Sequence, residues 1–398
     1  MRNLFFIYLL LVPVSFLSSQ RKFEIKIQSE GRTREAIISV PTTPPPSTGY
    51  PIVFMCHGTS GNANNYYAPI GWKELGQNEN FITIFPSALT WCYYDLDEGG
   101  KQKNLSRFVC GDLLKSICPE DTARLISDIF YFRKLVQLVE DTVKINKSKI
   151  FMSGFSNGCS MAHKISMDAT DLFSASGGSS APLSALDSTT PAKRIPMLFM
   201  VGTLDDRFFS EKFPTALPFG GDSILIYLKA NINRALVCQG LTEKYTKTET
   251  PISHTYTWSE CRPGVKCAPY VFMLNKDQIH EFPNGKNHPV DAPKILWDFY
   301  NNPPKTSITT ALSAQSKASL GLNMYPNPAS EYVLLKTGQS HQPYMVNIYD
   351  QVGRLIVHDQ GLQNEEYKLN VRNWLPGLYV VQIMNAMGSQ NKSLVIAK

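Results

Sequence analysis

The chain has 398 residues, 43% of them hydrophobic and 18% charged, too apolar and too weakly charged for a disordered protein. Its formal net charge is +6, from 39 basic and 33 acidic residues. No Lys/Arg cluster accompanies that small excess, so a nucleic-acid surface is not indicated. The length suits one large domain and a smaller one.

Residues 1–19 read as a signal peptide: Arg2, a mostly apolar stretch from Leu4 to Leu17 interrupted by Pro13, then small Ser18 and Ser19. Cleavage is expected near Ser19. No second long apolar run follows, so the mature chain is not expected to span a membrane. Export permits disulfides among the eight cysteines, Cys56, Cys92, Cys110, Cys118, Cys159, Cys238, Cys261 and Cys267. Their spacing matches no zinc site, and no metal is expected.

Strand signals begin at 23–28 and 35–40. The runs 52–56 and 81–85 are short and continuously apolar, as buried parallel strands require. The segment 54–59 ends its strand in a His57-Gly58 turn, which presents backbone N–H groups; Thr59 is a candidate oxyanion donor. His57 is read as shaping that loop. Trp91, Tyr93 and Tyr94 offer an aromatic surface for a sugar or phenolic group. Leu125, Ile129, Phe132, Val136 and Val139 fall at helical spacing within 122–143.

A strand at 149–153 runs into Gly154-Phe155-Ser156-Asn157-Gly158, and a helical stretch, 159–168, follows. That is a G-x-S-x-G in the strand–turn–helix order of a nucleophile elbow, whose sharp turn lifts a serine hydroxyl above the sheet. Ser156 is the candidate nucleophile and the Asn157 N–H a second oxyanion donor. Cys159 and His163, on the helix, are read as packing residues. A serine needs an oriented base, and the chain order in such folds is Ser, acid, His. A strand at 197–201 leads to Asp205 and Asp206, either of which could serve. His280 and His288 both lie between a strand at 270–274 and a helix at 293–300. A further helix is expected over 224–236. Strands alternating with helices imply an α/β domain with a mostly parallel sheet, over 20–302.

Residues 303–321 are rich in Pro, Ser, Thr and Ala and read as a linker. Beyond it, over 322–398, short β-rich runs at 332–336, 345–349, 355–358, 367–371, 378–384 and 393–397 alternate with turn signals. They predict a small all-β sandwich. The segments MYPNPASEYVLL, VNIYDQVGRLIV and LPGLYVVQI resemble the C-terminal sorting domain of the Bacteroidetes type IX secretion system. That implies an extracellular or cell-surface protein handled by that machinery through its tail.

Residues 51–300 resemble the secreted α/β-hydrolase esterases grouped with polyhydroxybutyrate depolymerases and family 1 carbohydrate esterases. The carrying segments are IVFMCHGTSGNANNY, SDIFYFRKLVQLV, KIFMSGFSNGCSMAHKIS, VGTLDD, DQIHEFPNG and ILWDFYNN. The resemblance implies an α/β-hydrolase fold, with Ser156 as nucleophile, Asp205 rather than Asp206 as the acid, and His280 rather than His288 as the base. It also implies a Cys238–Cys261 disulfide and no cofactor. Ile279 and Phe282 depart from the family's Gly and Trp beside the histidine. Three functions follow as expectations: a feruloyl or acetylxylan-type carbohydrate esterase, a polyester depolymerase, or a non-catalytic fold that binds polymer.

Overall fold

The computed structural model describes residues 21–95, 99–114, 116–208, 216–308, 322–337, 343–350, 355–385 and 388–397. The expected signal peptide, most of the expected linker and residues 351–354 of the VNIYDQVGRLIV segment lie outside them. Apart from the loop Arg262–Val265, one compact unit runs to Ser307 and a second begins at Ile308.

The strands of the first unit are β1 (Arg21–Ser29), β2 (Arg32–Val40), β3 (Tyr50–Cys56), β4 (Ile82–Pro86), β5 (Thr90–Asp95), β6 (Lys101–Ser106), β7 (Ile145–Phe155), β8 (Ala175–Ser179), β9 (Met197–Gly202), β10 (Thr246–Glu249), β11 (Ser253–Trp258), β12 (Glu260–Cys261) and β13 (Tyr270–Asn275). Ten of them form one sheet in the order β1-β2-β4-β3-β7-β8-β9-β13-β11-β10. The six central strands, from β4 across to β13, are parallel. Antiparallel pairs close both edges. The helices are α1 (Ala63–Tyr67), α2 (Trp72–Glu79), α3 (Gly111–Leu114), α4 (Pro119–Thr122), α5 (Asp128–Glu140), α6 (Asn157–Asp168), α7 (Ser223–Tyr227), α8 (Lys229–Gln239) and α9 (Ala292–Asn301).

The continuous apolar run of β3 is explained by burial on both faces. Phe54 packs with Phe132 and Leu135 of α5 and Ile165 of α6. Its neighbours Val53 and Met55 point the other way, to Leu296 and Trp297 of α9. A third cluster joins Phe199 of β9 and Phe272 of β13 to Leu236 of α8.

β8 carries no strand signal in the sequence, because its residues are Ala-Ser-Gly-Gly-Ser. Helices lie tight against it: a Cβ added at Gly177 would stand 2.4 Å from Leu296 Cδ2, and one at Gly178 2.8 Å from Cys159 Sγ. The expected helix over 122–143 begins only at Asp128. Ser127 caps it by accepting the Ile129 N–H (3.3 Å). The buried Asp128 carboxylate takes Arg34 (2.5 Å) and the Val109 N–H (2.7 Å). The expected helix over 224–236 is two, parted where Leu228 leaves helical geometry (φ −95°, ψ 10°) and turns into the core.

The aromatic surface expected at Trp91 and Tyr93 is not available. The β5–β6 hairpin buries both side chains against Val109 and Leu113, while Tyr94 is exposed.

The second unit holds a three-stranded sheet, Asn323–Tyr325, Tyr332–Lys336 and Glu366–Asn370, and a four-stranded one of Leu355–Leu362, Tyr344–Tyr349, Gly377–Asn385 and Gly388–Ile396. Alternate residues such as Val333, Leu335, Val346, Ile348, Val381 and Ile383 form one shared core, the pattern of a β-sandwich. Asn327 of the Tyr-Pro-Asn-Pro run acts as a backbone mimic at the last strand. Its Nδ2 donates to Ser393 O (2.8 Å), and its Oδ1 accepts the Val395 N–H (2.8 Å).

Candidate active site

The parallel strands deliver the site at their C-terminal ends, where open α/β sheets hold their ligands. β7 ends at Phe155, and Ser156 sits between strand and helix at φ 52°, ψ −122°. That region is strained for a residue with a Cβ. The turn closes because side chains are missing: a Cβ at Gly154 would stand 2.0 Å from Gly158 O, and one at Gly158 2.2 Å from Cys56 O. The Ser156 N–H is held by Ser179 O (2.9 Å).

Asp205 follows β9 and is fully buried. His280 follows β13. His280 Nδ1–H donates to Asp205 Oδ1 (2.7 Å), and Ser156 Oγ–H donates to His280 Nε2 (3.0 Å). Ser156, His280 and Asp205 thus form one hydrogen-bonded chain, assembled across 124 and 75 residues of sequence. Asp205 Oδ1 also accepts the Arg207 N–H (3.2 Å), while Oδ2 is buried with no partner among the described residues.

The two pairs left open by residue order are now separated. Asp206 is exposed and faces Arg207 (3.7 Å). His288 Nε2–H donates to Lys276 O (2.8 Å), and its Nδ1 accepts the Val290 N–H (3.1 Å), so that ring braces its own loop. His57 accepts the Ala88 N–H at Nε2 (3.0 Å) and donates from Nδ1 to Gly58 O (2.7 Å). Both ring nitrogens are therefore spent in a neutral ring, and burial lowers its pKa to about 4. His163 is likewise buried, with Nε2–H donating to Ala181 O (3.1 Å) and a pKa lowered by burial to about 4. Cys159 packs beside it, its thiol donating to the same carbonyl (3.2 Å) and pushed up by burial.

Residues Gly58 to Gly61 close a turn (Gly61 N–H to Gly58 O, 3.0 Å) that places Thr59 at its second position. The loop lies against the serine: a Cβ on Gly58 would stand 3.2 Å from Ser156 Cβ. The N–H of Ser60 is spent on Ser106 O (2.9 Å) and that of Gly58 on Tyr66 Oη (3.1 Å). The Thr59 and Asn157 N–H groups donate to no protein acceptor among the described residues. For Asn157 this follows from its place in the first turn of α6.

Two positioning side chains escaped the sequence reading. The Asn157 side chain clamps the chain at Phe108, accepting its N–H (2.7 Å) and donating to its O (3.3 Å). Gln278, 2% exposed, donates to Ser179 Oγ (3.1 Å) and Glu281 O (3.0 Å) and accepts from Asn275 Nδ2 (2.7 Å). It ties the end of β8, the end of β13 and the residue after His280 together. Polar residues two and one positions from the expected base or nucleophile were the available signal. Nothing local says which of them turns inward.

The departure at Phe282 proves a matter of packing, since its ring lies in the core with Leu296 and Trp297. Ile279 is 49% exposed beside His280.

The expected Cys238–Cys261 bridge does not form. Cys261 is bonded to Cys267, and Cys92 to Cys118. The chain doubles back between them, with the Val265 N–H on Arg262 O (3.1 Å) and Gly264 at φ 71°. This brings the Cα atoms of Cys261 and Cys267 to 5.2 Å, within disulfide range. Cys238 points from α8 into the third core cluster as a buried free thiol.

Asp205, Asp206 and His280 offer donor atoms within 4.8 Å of one another, as do Cys92, Cys118 and Glu120. The first set is already joined through the Asp205–His280 hydrogen bond and the second through a disulfide. Neither is a preformed ion cage.

Residues 323–397 match the secretion system C-terminal sorting domain family. The tail is that of the type IX system, and the protein is secreted or displayed at the cell surface. Among the described residues no helix is long and apolar enough to cross a membrane. No curated protein matches the chain. Among solved structures, the acetyl xylan esterase from Aspergillus awamori is similar at 13% identity and TM-score 0.46, over 70% of this chain and 99% of that one. An S-formylglutathione hydrolase from Staphylococcus aureus is similar at 12% identity and TM-score 0.40, over 71% and 97%. A ferulic acid esterase from Anaeromyces mucronatus is similar at 14% identity and TM-score 0.38, over 72% and 90%.

Proposed function

We propose that this is an exported serine esterase on an α/β-hydrolase fold, acting on a polymeric ester through Ser156, His280 and Asp205. The observation that carries the reading is the Ser156–His280–Asp205 hydrogen-bond chain on a strained strand-to-helix turn. His280 Nε2 takes the serine proton as Oγ attacks the ester carbonyl. Asp205 holds the Nδ1–H tautomer and stabilises the imidazolium that forms. The N–H groups of Thr59 and Asn157 receive the developing oxyanion; losing one such donor typically costs about 3 kcal/mol in the barrier. The alcohol leaves with the proton from His280, and water, activated by the same ring, releases the acid from the acyl-enzyme.

The motif resemblance across 51–300 favours a feruloyl or acetylxylan-type carbohydrate esterase. A polyester depolymerase is the second reading. Ile279, 49% exposed, and Leu204, 39% exposed, flank His280 and Asp205 with apolar surface suited to an aliphatic chain.

The test is acid release from methyl ferulate, acetylated xylan and polyhydroxybutyrate, and nitrophenol release from p-nitrophenyl acetate. Wild type is run beside Ser156→Ala. A drop in kcat of about a million-fold is expected in the variant. A folded wild-type protein that hydrolyses none of the four sinks the esterase reading and leaves polymer binding.

A further inference from the structure

Tyr66 lies on α1, just beyond the turn that carries Thr59. Its hydroxyl oxygen accepts the Gly58 N–H (3.1 Å), which leaves its proton to give. That proton has no acceptor among the described residues. The ring is set between the two walls of the site, its centroid 6.0 Å from His57 and 6.5 Å from Phe155, the residue before the serine. A Cβ built on Gly58 would stand 3.3 Å from Tyr66 Oη, 3.2 Å from Ser156 Cβ and 3.1 Å from Phe155 Cδ1. Hydroxyl and serine therefore border the same atom-sized space, open only because residue 58 is glycine. Burial raises the Tyr66 pKa, with the Gly58 N–H opposing, so the group is a neutral donor at physiological pH.

We propose that Tyr66 is a catalytic residue whose Oη–H donates a third, side-chain hydrogen bond to the oxyanion formed on Ser156. The inference rests on the esterase reading above. In the ground state the hydroxyl is aligned by Gly58. In the tetrahedral intermediate its proton faces the negative oxygen already bound by the Thr59 and Asn157 N–H groups. The arrangement also gives Gly58 a reason beyond turn geometry: any side chain there would separate the hydroxyl from the serine.

The experiment uses the full chain with p-nitrophenyl acetate as substrate and phenylboronic acid, a tetrahedral adduct former on serine, as the probe. Tyr66→Phe is expected to lower kcat about 10- to 100-fold with KM within twofold. It should weaken boronate inhibition by a similar factor and leave the thermal midpoint nearly unchanged. The second variant places 3,5-difluorotyrosine at position 66, which strengthens the O–H as a donor and weakens its oxygen as an acceptor. At a pH below the ionisation of that residue, boronate affinity at or above the wild-type value supports donation to the oxyanion. Weakened affinity shows that Tyr66 serves only as an anchor for Gly58 and overturns the inference, as does Tyr66→Phe retaining full kcat. Should Tyr66→Phe fail to fold, the fluorinated protein decides alone. A folded wild type with no more activity than Ser156→Ala brings down the esterase reading and this inference with it. An active wild type with an indifferent Tyr66 brings down only this inference.

Discussion

The serine turn and the histidine loop hold two neighbouring members of one hydrogen-bond chain by opposite means. The serine turn is made by removing side chains. Gly154, Gly158 and Gly178 allow strand, helix and neighbouring strand to approach so closely that a Cβ at any of them would overlap a backbone atom. The histidine loop is made by adding side chains. Gln278, Asn284, Asn287 and His288 supply hydrogen bonds to a segment that has no regular ladder. A nucleophile in strained geometry needs an unyielding frame. A base must present its ring at a set angle, and several modest polar contacts suffice for that.

This contrast can be broken at four points. The largest effect is expected where the loop's ring meets its partner. Asp205→Asn removes the carboxylate that fixes the His280 tautomer, and kcat should fall about 10³- to 10⁴-fold with the fold intact. Activity within tenfold of wild type would show that the buried Asp205 has no part in the chemistry.

Next is the serine turn itself. Gly154→Ala needs no forbidden φ, so its cost is overlap alone, with backbone at 2.0 Å. A loss of more than about 3 kcal/mol in urea unfolding is expected. A variant of wild-type stability would mean that the turn has slack.

A smaller effect is expected in the histidine loop. Gln278→Leu keeps the volume but strands the Asn275 amide and leaves the Ser179 hydroxyl with Ser180 alone. About 2 kcal/mol of stability should go. The kcat should drop 10- to 100-fold as His280 loses its aim, with KM changing far less. A raised KM with kcat unchanged would argue that Gln278 shapes the substrate surface instead.

The smallest effect is in pH dependence, and it belongs to the serine side. His57 and His163 are buried neutral, with pKa values lowered from 6.5 to about 4. Between those values the unfolded chain binds protons that the folded chain does not, so stability falls as pH drops from about 6.5 toward 4. Each ring contributes a slope of up to about 1.4 kcal/mol per pH unit. His163→Gln should remove one such share from urea unfolding measured at pH 7, 6 and 5. An unchanged slope would show that His163 is not held neutral.

Much of the candidate site was legible because the proposed chemistry fixes residue types at short spacing. Glycines must flank the nucleophile, and the acid and histidine must follow strands in a set chain order. Apolar runs identified β3, β4, β9 and β13 for the same local reason: both faces of those strands are covered. β8 escaped because close helix packing forbids the bulky residues by which strands are recognised. Trp91 and Tyr93 misled because an aromatic looks the same in sequence whether it meets substrate or a hairpin core.

By itself the sequence determined the two-part α/β and β organisation and the export tail, and it singled out Ser156 as the candidate nucleophile with a short choice of partners. Residue order alone left Asp205 beside Asp206 and His280 beside His288, the motif resemblance favoured Asp205 and His280, and only the tertiary structure shows those two in hydrogen-bond line with Ser156. That line rests on distances across more than seventy residues, which local pattern does not encode. The same is true of the disulfides. Cys261 had partners available on both sides in sequence, and the sharp return at Gly264 delivered Cys267 while Cys238 was drawn into the core. It is also true of Gln278 and Tyr66, whose polar atoms acquire meaning only from what the fold sets opposite them.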